Sequence, residues 1–126
     1  MVQIEILGVK QTQKFLNKKS KNITKGTEIG LINAALHVQN EVKLSIAGRK
    51  AEHRSVDTGR FINSVDKVTS KFGAMVFSDL EYAKFLEFGT RKFNARRHFM
   101  NTKSREKINV LKILNKEVKK AVNKKI

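Results

Sequence analysis

The chain has 126 residues, enough for one domain with one modest core. Twenty-seven Lys and Arg against eleven Asp and Glu leave a formal charge of +16, which attracts nucleic acid, anionic lipid or an acidic protein without choosing among them. Cysteine is absent, and no apolar run approaches the roughly 20 residues of a membrane span. A disulfide framework, a thiolate metal site and a transmembrane helix are therefore excluded, and a reducing compartment is expected.

The start, Met1-Val2-Gln3-Ile4-Glu5, lacks the basic residues and apolar stretch of a secretion signal. Residues 2–9 carry β-branched residues in imperfect alternation and predict a short strand ending near Gly8. Residues 10–25 hold six lysines and no acid, with Phe15 and Leu16 as an apolar anchor; a short surface helix followed by a loop at residues 22–26 is expected. Thr27 is placed to cap a second helix, with Glu28 near its positive end. Leu31, Ala35, Val38, Val42 and Ile46 fall on one face of that helix, and Gly48 closes it. Residues 49–58 form a charged loop. Residues 59–64 predict one helical turn capped by Asp57 or Thr58. Residues 65–69 and 74–78 predict a hairpin around Ser70-Lys71-Phe72-Gly73. The aromatic stretch 81–88 ends at Gly89-Thr90, and its Tyr82, Phe85, Leu86 and Phe88 are expected to pack sheet against helix. A basic loop with Arg91, Lys92, Arg96 and Arg97 follows. The last segment predicts a helix with Ile108, Leu111, Leu114, Val118 and Val122 along its apolar face. The expected class is α+β: a small antiparallel sheet packed with a long central helix and a C-terminal helix, in a single domain over residues 1–126.

Gly59 and Gly89 stand at sharp ends of ordered segments, where a missing Cβ permits positive φ or a close approach. Glu87 lies among apolar neighbours and close to Arg91. An ion pair or a backbone cap would explain it, and an outward-facing strand residue in water is the alternative.

Two stretches carry a family likeness. They are Val56-Asp57-Thr58-Gly59-Arg60-Phe61-Ile62-Asn63-Ser64-Val65, and Tyr82-Ala83-Lys84-Phe85-Leu86-Glu87-Phe88-Gly89-Thr90-Arg91-Lys92 continued by Ala95-Arg96-Arg97-His98-Phe99-Met100. In order and spacing they resemble the head–tail joining, or minor tail component, family of long-tailed phages and related viruses. Members of that family show an Asp-Thr-Gly-Arg/Lys-Leu-x-x-Ser-Ile block, a hairpin, Tyr-Ala-x-x-x-Glu-x-Gly-Thr, then Ala-x-Pro-Phe-Leu and a terminal helix. The likeness spans residues 27–122. It departs at His98, where the family usually has proline. The resemblance implies a non-enzymatic structural subunit of the virion neck, present in the host cytoplasm during assembly. It implies a ring of six or twelve copies between the portal or its adaptor and the tail tube or tail terminator, with no cofactor and no membrane. The subunit and partner contacts it implies are Asp57, Gly59, Arg60, Tyr82, Glu87, Gly89, Thr90, Arg91, Arg96, Arg97 and Phe99.

Other chemistry is thinly represented. His37, His53 and His98 have no histidine at i+3 or i+4, so a metal site is not expected; His37 reads as a polar-face residue and His98 as a loop residue. A small ribonuclease would need a histidine and a carboxylate, or a second histidine, converging on phosphate; His53 with Glu52 or Asp57 is the best such pair, and His98 is the other candidate histidine. Thr58-Gly59-Arg60 lacks the pattern of a phosphate loop. On the terminal helix, Lys112, Lys116, Lys119, Lys120 and Lys124 are either a solvated face or contacts to packaged DNA or an acidic partner, made without sequence recognition. A free-standing nucleic-acid-binding protein is thus the alternative function. Aromatic stacking on bases is not expected, because Phe and Tyr fall in predicted core segments.

Overall fold

A computed structural model describes residues 2–6, 21–56, 59–71 and 73–123, with backbone only for residues 21–23. In chain order the elements are β1 (Val2–Ile6), α1 (Lys21–Ile46), α2 (Arg60–Ser64), β2 (Asp66–Thr69), β3 (Ala74–Ser78), α3 (Ala83–Phe88) and α4 (His98–Asn123). The class is α+β. The strands form one antiparallel sheet in the order β1-β3-β2, with Ile4 opposite Val76 and Lys67 opposite Val76. Alternation sends Val2, Ile4, Ala74, Val76 and Ser78 inward against the helices. The β2–β3 turn closes where expected, the Ser70 amide donating to the Gly73 carbonyl at 2.9 Å.

The two long helices run antiparallel beside each other and cover one face of the sheet. Each has 26 residues, a rod of about 39 Å. The predicted face of α1 is the buried one: Leu31, Ala35, Val38, Val42 and Ile46, joined by Ala34. Its end is a Schellman motif. Arg49 donates to the Leu44 carbonyl and Gly48 to that of Ser45, both at 3.0 Å, with Gly48 at φ 80°.

The start of α1 differs from expectation. The helix already runs at Lys21, so residues 22–26 are not a loop and Thr27 is not a cap but a buried residue two turns in. The reason is tertiary. Gly26 and Gly30 lie one turn apart against α4, where a Cβ on Gly26 would stand 2.6 Å from Ala121 Cβ. Gly26, which reads as part of a loop, and Gly30 are the contact surface that lets the backbones approach. The rest of the predicted helix over 10–25, and the end of the predicted strand, lie outside the described residues.

Three further expectations are corrected. Residues 83–88 are helical, so the strand alternative for Glu87 does not hold. The face of α4 that is buried carries Phe99, Thr102 and Glu106, followed by the partly buried Val110, Ile113 and Leu114. Of the predicted stripe, Leu114 belongs to this face and Val118 is half-buried, while Ile108 at 67%, Leu111 at 51% and Val122 at 59% are exposed. Finally, Gly59 itself occupies the N-cap position of α2 at φ 80° with no side-chain cap bond; Asp57 and Thr58 lie outside the described residues.

Candidate functional site

The two motif stretches meet at the N-terminus of α4. Glu87, on the last turn of α3, is 1% exposed and is the device that joins them. Its Oε1 accepts from the Phe99 amide at 2.9 Å and its Oε2 from the Met100 amide at 2.8 Å. Those amides have no partner within their own helix, and the carboxylate meets the positive end of the dipole. Burial pushes the Glu87 carboxyl above its ordinary range, although the two amides pull the other way. The backbone-cap expectation for Glu87 is therefore met from across the chain, and Arg91 is not its partner. Glu87 and Phe99, both buried, serve inside the subunit and are not surface contacts.

Gly89 makes the chain turn from α3 back toward α4. Its φ of 80° with ψ of 173° is a region only glycine occupies, and a Cβ there would lie 2.6 Å from the Ala95 nitrogen. Residues 90–96 are tied down rather than a loose arm. Thr90 donates to the Phe93 carbonyl at 3.0 Å, and Arg96 to that of Leu86 at 2.8 Å. The Arg96 guanidinium reaches back to the Arg54 carbonyl and the Ser55 hydroxyl, both at 2.9 Å. Arg97 remains exposed, at φ 53°.

His98 is not a loop residue. It opens α4, is fully buried, and lies edge-on to Phe61 at 6.0 Å between ring centroids. Its Nδ1 is 2.7 Å from Ser45 Oγ, and its Nε2 is 2.6 Å from Ser55 Oγ. Ser45 in turn donates to Glu52 Oε1 at 2.5 Å. Arg105 grips both Glu52 oxygens at 3.1 Å, and Asn101 adds a longer bond at 3.4 Å. Burial raises the Glu52 pKa, but Arg105, Ser45 and Asn101 together outweigh it, and the carboxyl ends below its ordinary range. An ionised Glu52 takes the Ser45 proton, so Nδ1 must carry the histidine's hydrogen and Nε2 must accept from Ser55. The relay of donated hydrogens runs from Ser55 to His98 to Ser45 and ends on Glu52 as the acceptor.

That order is the one a serine nucleophile would need. The base is weak, however: burial, and then the nearby Arg96 charge, hold the His98 pKa down to about 4, against the pull of Glu52. With both nitrogens engaged, His98 has none left to act on a phosphate in the manner of a ribonuclease. Glu52 is likewise committed, and His53 is exposed. The network's evident work is to bind loop 49–56 to the root of α4.

On the outside of this network lie two adjoining clefts. The first, of about 480 Å³, is lined by Arg54, Ser55, Arg60, Phe61, Tyr82 and Arg96 among others. The second, of about 670 Å³, shares Tyr82 and Leu86 with it and adds Phe85, Phe93, Arg91 and Lys92. Tyr82 stands edge-on to Phe61 at 6.0 Å. The expectation that these aromatics fill the core is wrong: Tyr82 is 40%, Phe85 45% and Phe88 66% exposed. The six-residue α3 buries only Ala83 and Glu87, which leaves its aromatic side to solvent.

Elsewhere, His37 Nε2 lies 2.5 Å from Glu106 Oε1, and Glu41 sits beside them. The three could supply one ligand atom each, all within 4.8 Å of one another. Lys50 Nζ already stands 3.0 Å from Glu41 Oε2 as a counter-charge, and Asn109 donates to Glu106. Burial raises the Glu106 carboxyl, but the bonds from Asn109 and His37 and the His37 and Lys50 charges bring it below its ordinary range. His37 and Glu41 stand at i, i+4 on α1, but Glu106 comes from α4, so spacing on one element does not announce the whole cluster. Lys112, Lys116, Lys119 and Lys120 are exposed as expected, and Lys120 lies 3.5 Å from Glu117; Lys124 lies outside the described residues.

No family model, no curated protein and no solved structure matches the chain. Among the described residues, no helix is long and apolar enough to cross a membrane.

Proposed function

We propose that the protein is a structural virion subunit of the head–tail interface. It assembles into a ring of six or twelve copies that joins the portal or connector to the tail tube, and it acts by shape and charge rather than by catalysis. The family likeness supplies this reading. The observation that carries it into three dimensions is the exposed apolar surface on two different helices: Ile29, Ile32 and Leu36 on α1, and Ile108, Leu111 and Val122 on α4. Solvent-facing apolar side chains at helical spacing are out of place on a monomer of this charge and are what protein contacts use. A closed ring needs two unlike surfaces per subunit, each meeting the other kind on a neighbour. The relay around His98 and the Glu87 cap then have a mechanical role, holding the motif blocks in one rigid body. Portal-side and tail-tube proteins are the proposed partners above and below, with packaged DNA facing part of the +16 surface.

The test uses two variants, Ile32→Ser/Leu36→Ser and Ile108→Ser/Leu111→Ser. Light scattering and electron microscopy of the wild-type chain, alone and with particles lacking it, are expected to show rings. Each variant is expected to stay folded and form none. Mixed in equal amounts, the two variants join through their intact surfaces but close no ring. A wild-type chain that stays monomeric in both settings overturns the proposal. So does a ring that forms unchanged with both surfaces altered.

A further inference from the structure

We infer that the two clefts beside Tyr82 form a binding track for single-stranded nucleic acid. Three observations converge. First, the clefts are contiguous, with Tyr82 and Leu86 as their common wall. Second, three rings are offered to solvent along them: Tyr82 at 40%, Phe85 at 45% and Phe93 at 37% exposed. Third, among the described residues the linings hold Arg54 and Arg96 on one side and Arg91 and Lys92 on the other, with no carboxylate between them. Cations are also held over two of the rings, Lys84 Nζ at 5.3 Å from the Phe85 centroid and the Arg96 guanidinium at 5.9 Å from that of Phe93. A base would stack on the other face of such a ring or take the cation's place, and the cation stays beside the strand.

This combination selects among anionic partners. A duplex keeps its base faces covered, so it could use the cations but not the rings. An acidic peptide likewise leaves the rings without planar partners. Only a strand with unpaired bases satisfies both, the rings accepting any base and the cations tracking the backbone. The inference stands apart from ring assembly, since the proposed ring surfaces lie on α1 and the far part of α4.

The test is fluorescence anisotropy of the full chain with labelled oligomers of about 12 nucleotides, within the usual site size of such tracks. The probes are oligo-dT, oligo-rU and a DNA duplex of equal length. Binding of either single strand at least about tenfold tighter than the duplex is expected, and the ratio of the two tells which sugar the track favours. Phe85→Ser/Phe93→Ser is expected to weaken single-strand binding about tenfold or more and leave duplex binding unchanged. Arg91→Glu/Lys92→Glu weakens single-strand binding and flattens its salt dependence. Lys112→Glu/Lys116→Glu, on exposed α4, is the charge control and leaves the single-strand preference intact. Circular dichroism and thermal unfolding confirm that each variant is folded. Equal affinity for single strand and duplex, or unchanged binding by folded Phe85→Ser/Phe93→Ser, overturns the inference. So does a polyglutamate peptide of similar length that binds more tightly than the single strand.

Discussion

Acidification is expected to unfold this protein through His98 before most of its carboxylates titrate. In the folded chain the imidazole is buried between two serine hydroxyls and held neutral, its pKa lowered to about 4 from an ordinary value of 6.5. The unfolded chain therefore takes up the proton first. His98's contribution is fully present above pH 6.5 and is lost as pH falls toward 4. Linkage puts the loss at about 2 kcal/mol between pH 7 and pH 5, and about 3 kcal/mol once pH is below both values. For a domain whose total stability is of order 5–15 kcal/mol, that is a large share. Glu52 and Glu106, with lowered pKa values, contribute stability that is fully present above the ordinary carboxylate range and is lost as pH falls from that range through their folded values. Glu87, raised by burial, works in the opposite direction, its contribution falling as pH rises. Urea unfolding of wild type and His98→Asn at half-unit steps from pH 7.5 to 5 isolates the histidine. The wild-type curve should slope by up to about 1.4 kcal/mol per pH unit, and the variant should lack that component. Parallel curves would refute the buried, neutral His98 described above.

Three more outcomes follow from the packing. Glu87→Ala strips two buried helix amides of their acceptor and is expected to cost about 3 kcal/mol in urea unfolding, while Phe85→Ser, on the open side of the same helix, should stay within about 0.5 kcal/mol of wild type. Gly26→Val drives a side chain into Ala121 and the Glu117 carbonyl and should lower stability by about 1–3 kcal/mol. Gly30→Ala presses only on the movable Leu114 Cδ2 at 3.3 Å, its contacts with Glu117 Cβ and Leu114 Cα at 3.4 Å being ordinary, and should be near neutral, the gain in helix propensity offsetting the squeeze. Arg105→Met leaves Glu52 buried without its cation and should cost about 3 kcal/mol. The double variant Arg105→Met/Glu52→Gln should recover part of that loss, as read by thermal or urea unfolding.

Local pattern was enough for the β2–β3 hairpin, the turn at α2 and the buried face of α1, because each is set by residues within a few positions of one another. It failed where the partner lies far along the chain. Gly26 reads as part of a loop until Ala121 is beside it. On α4, Thr102 and Glu106 take the inward face because Arg105 and His37 satisfy them, so apolar spacing alone found Leu114 but put exposed Ile108 and Leu111 on the same stripe. The motif stretches drew attention to Glu87 and Arg96, yet their roles depend on amides and a carbonyl in other segments. Nothing in the order of residues joins Ser45, Glu52, Ser55 and His98, which arrive from the end of one helix, a loop and the start of another. The aromatics of α3 were misplaced for a simpler reason. A two-turn helix has room to bury only one narrow side, and Ala83 and Glu87 occupy it.

The close antiparallel pairing of α1 with α4 also sets a timetable. Gly26 waits for Ala121 and Ser45 for His98, so the ribosome delivers the partner of α1 only after β2, β3 and the short helices α2 and α3 that lie between them. At about 5–20 residues per second, the apolar face of α1 spends seconds without its cover on every newly made chain. Early protection during synthesis, whether from a chaperone or from a finished copy of the same subunit, would then decide the yield of folded protein more than its equilibrium stability does.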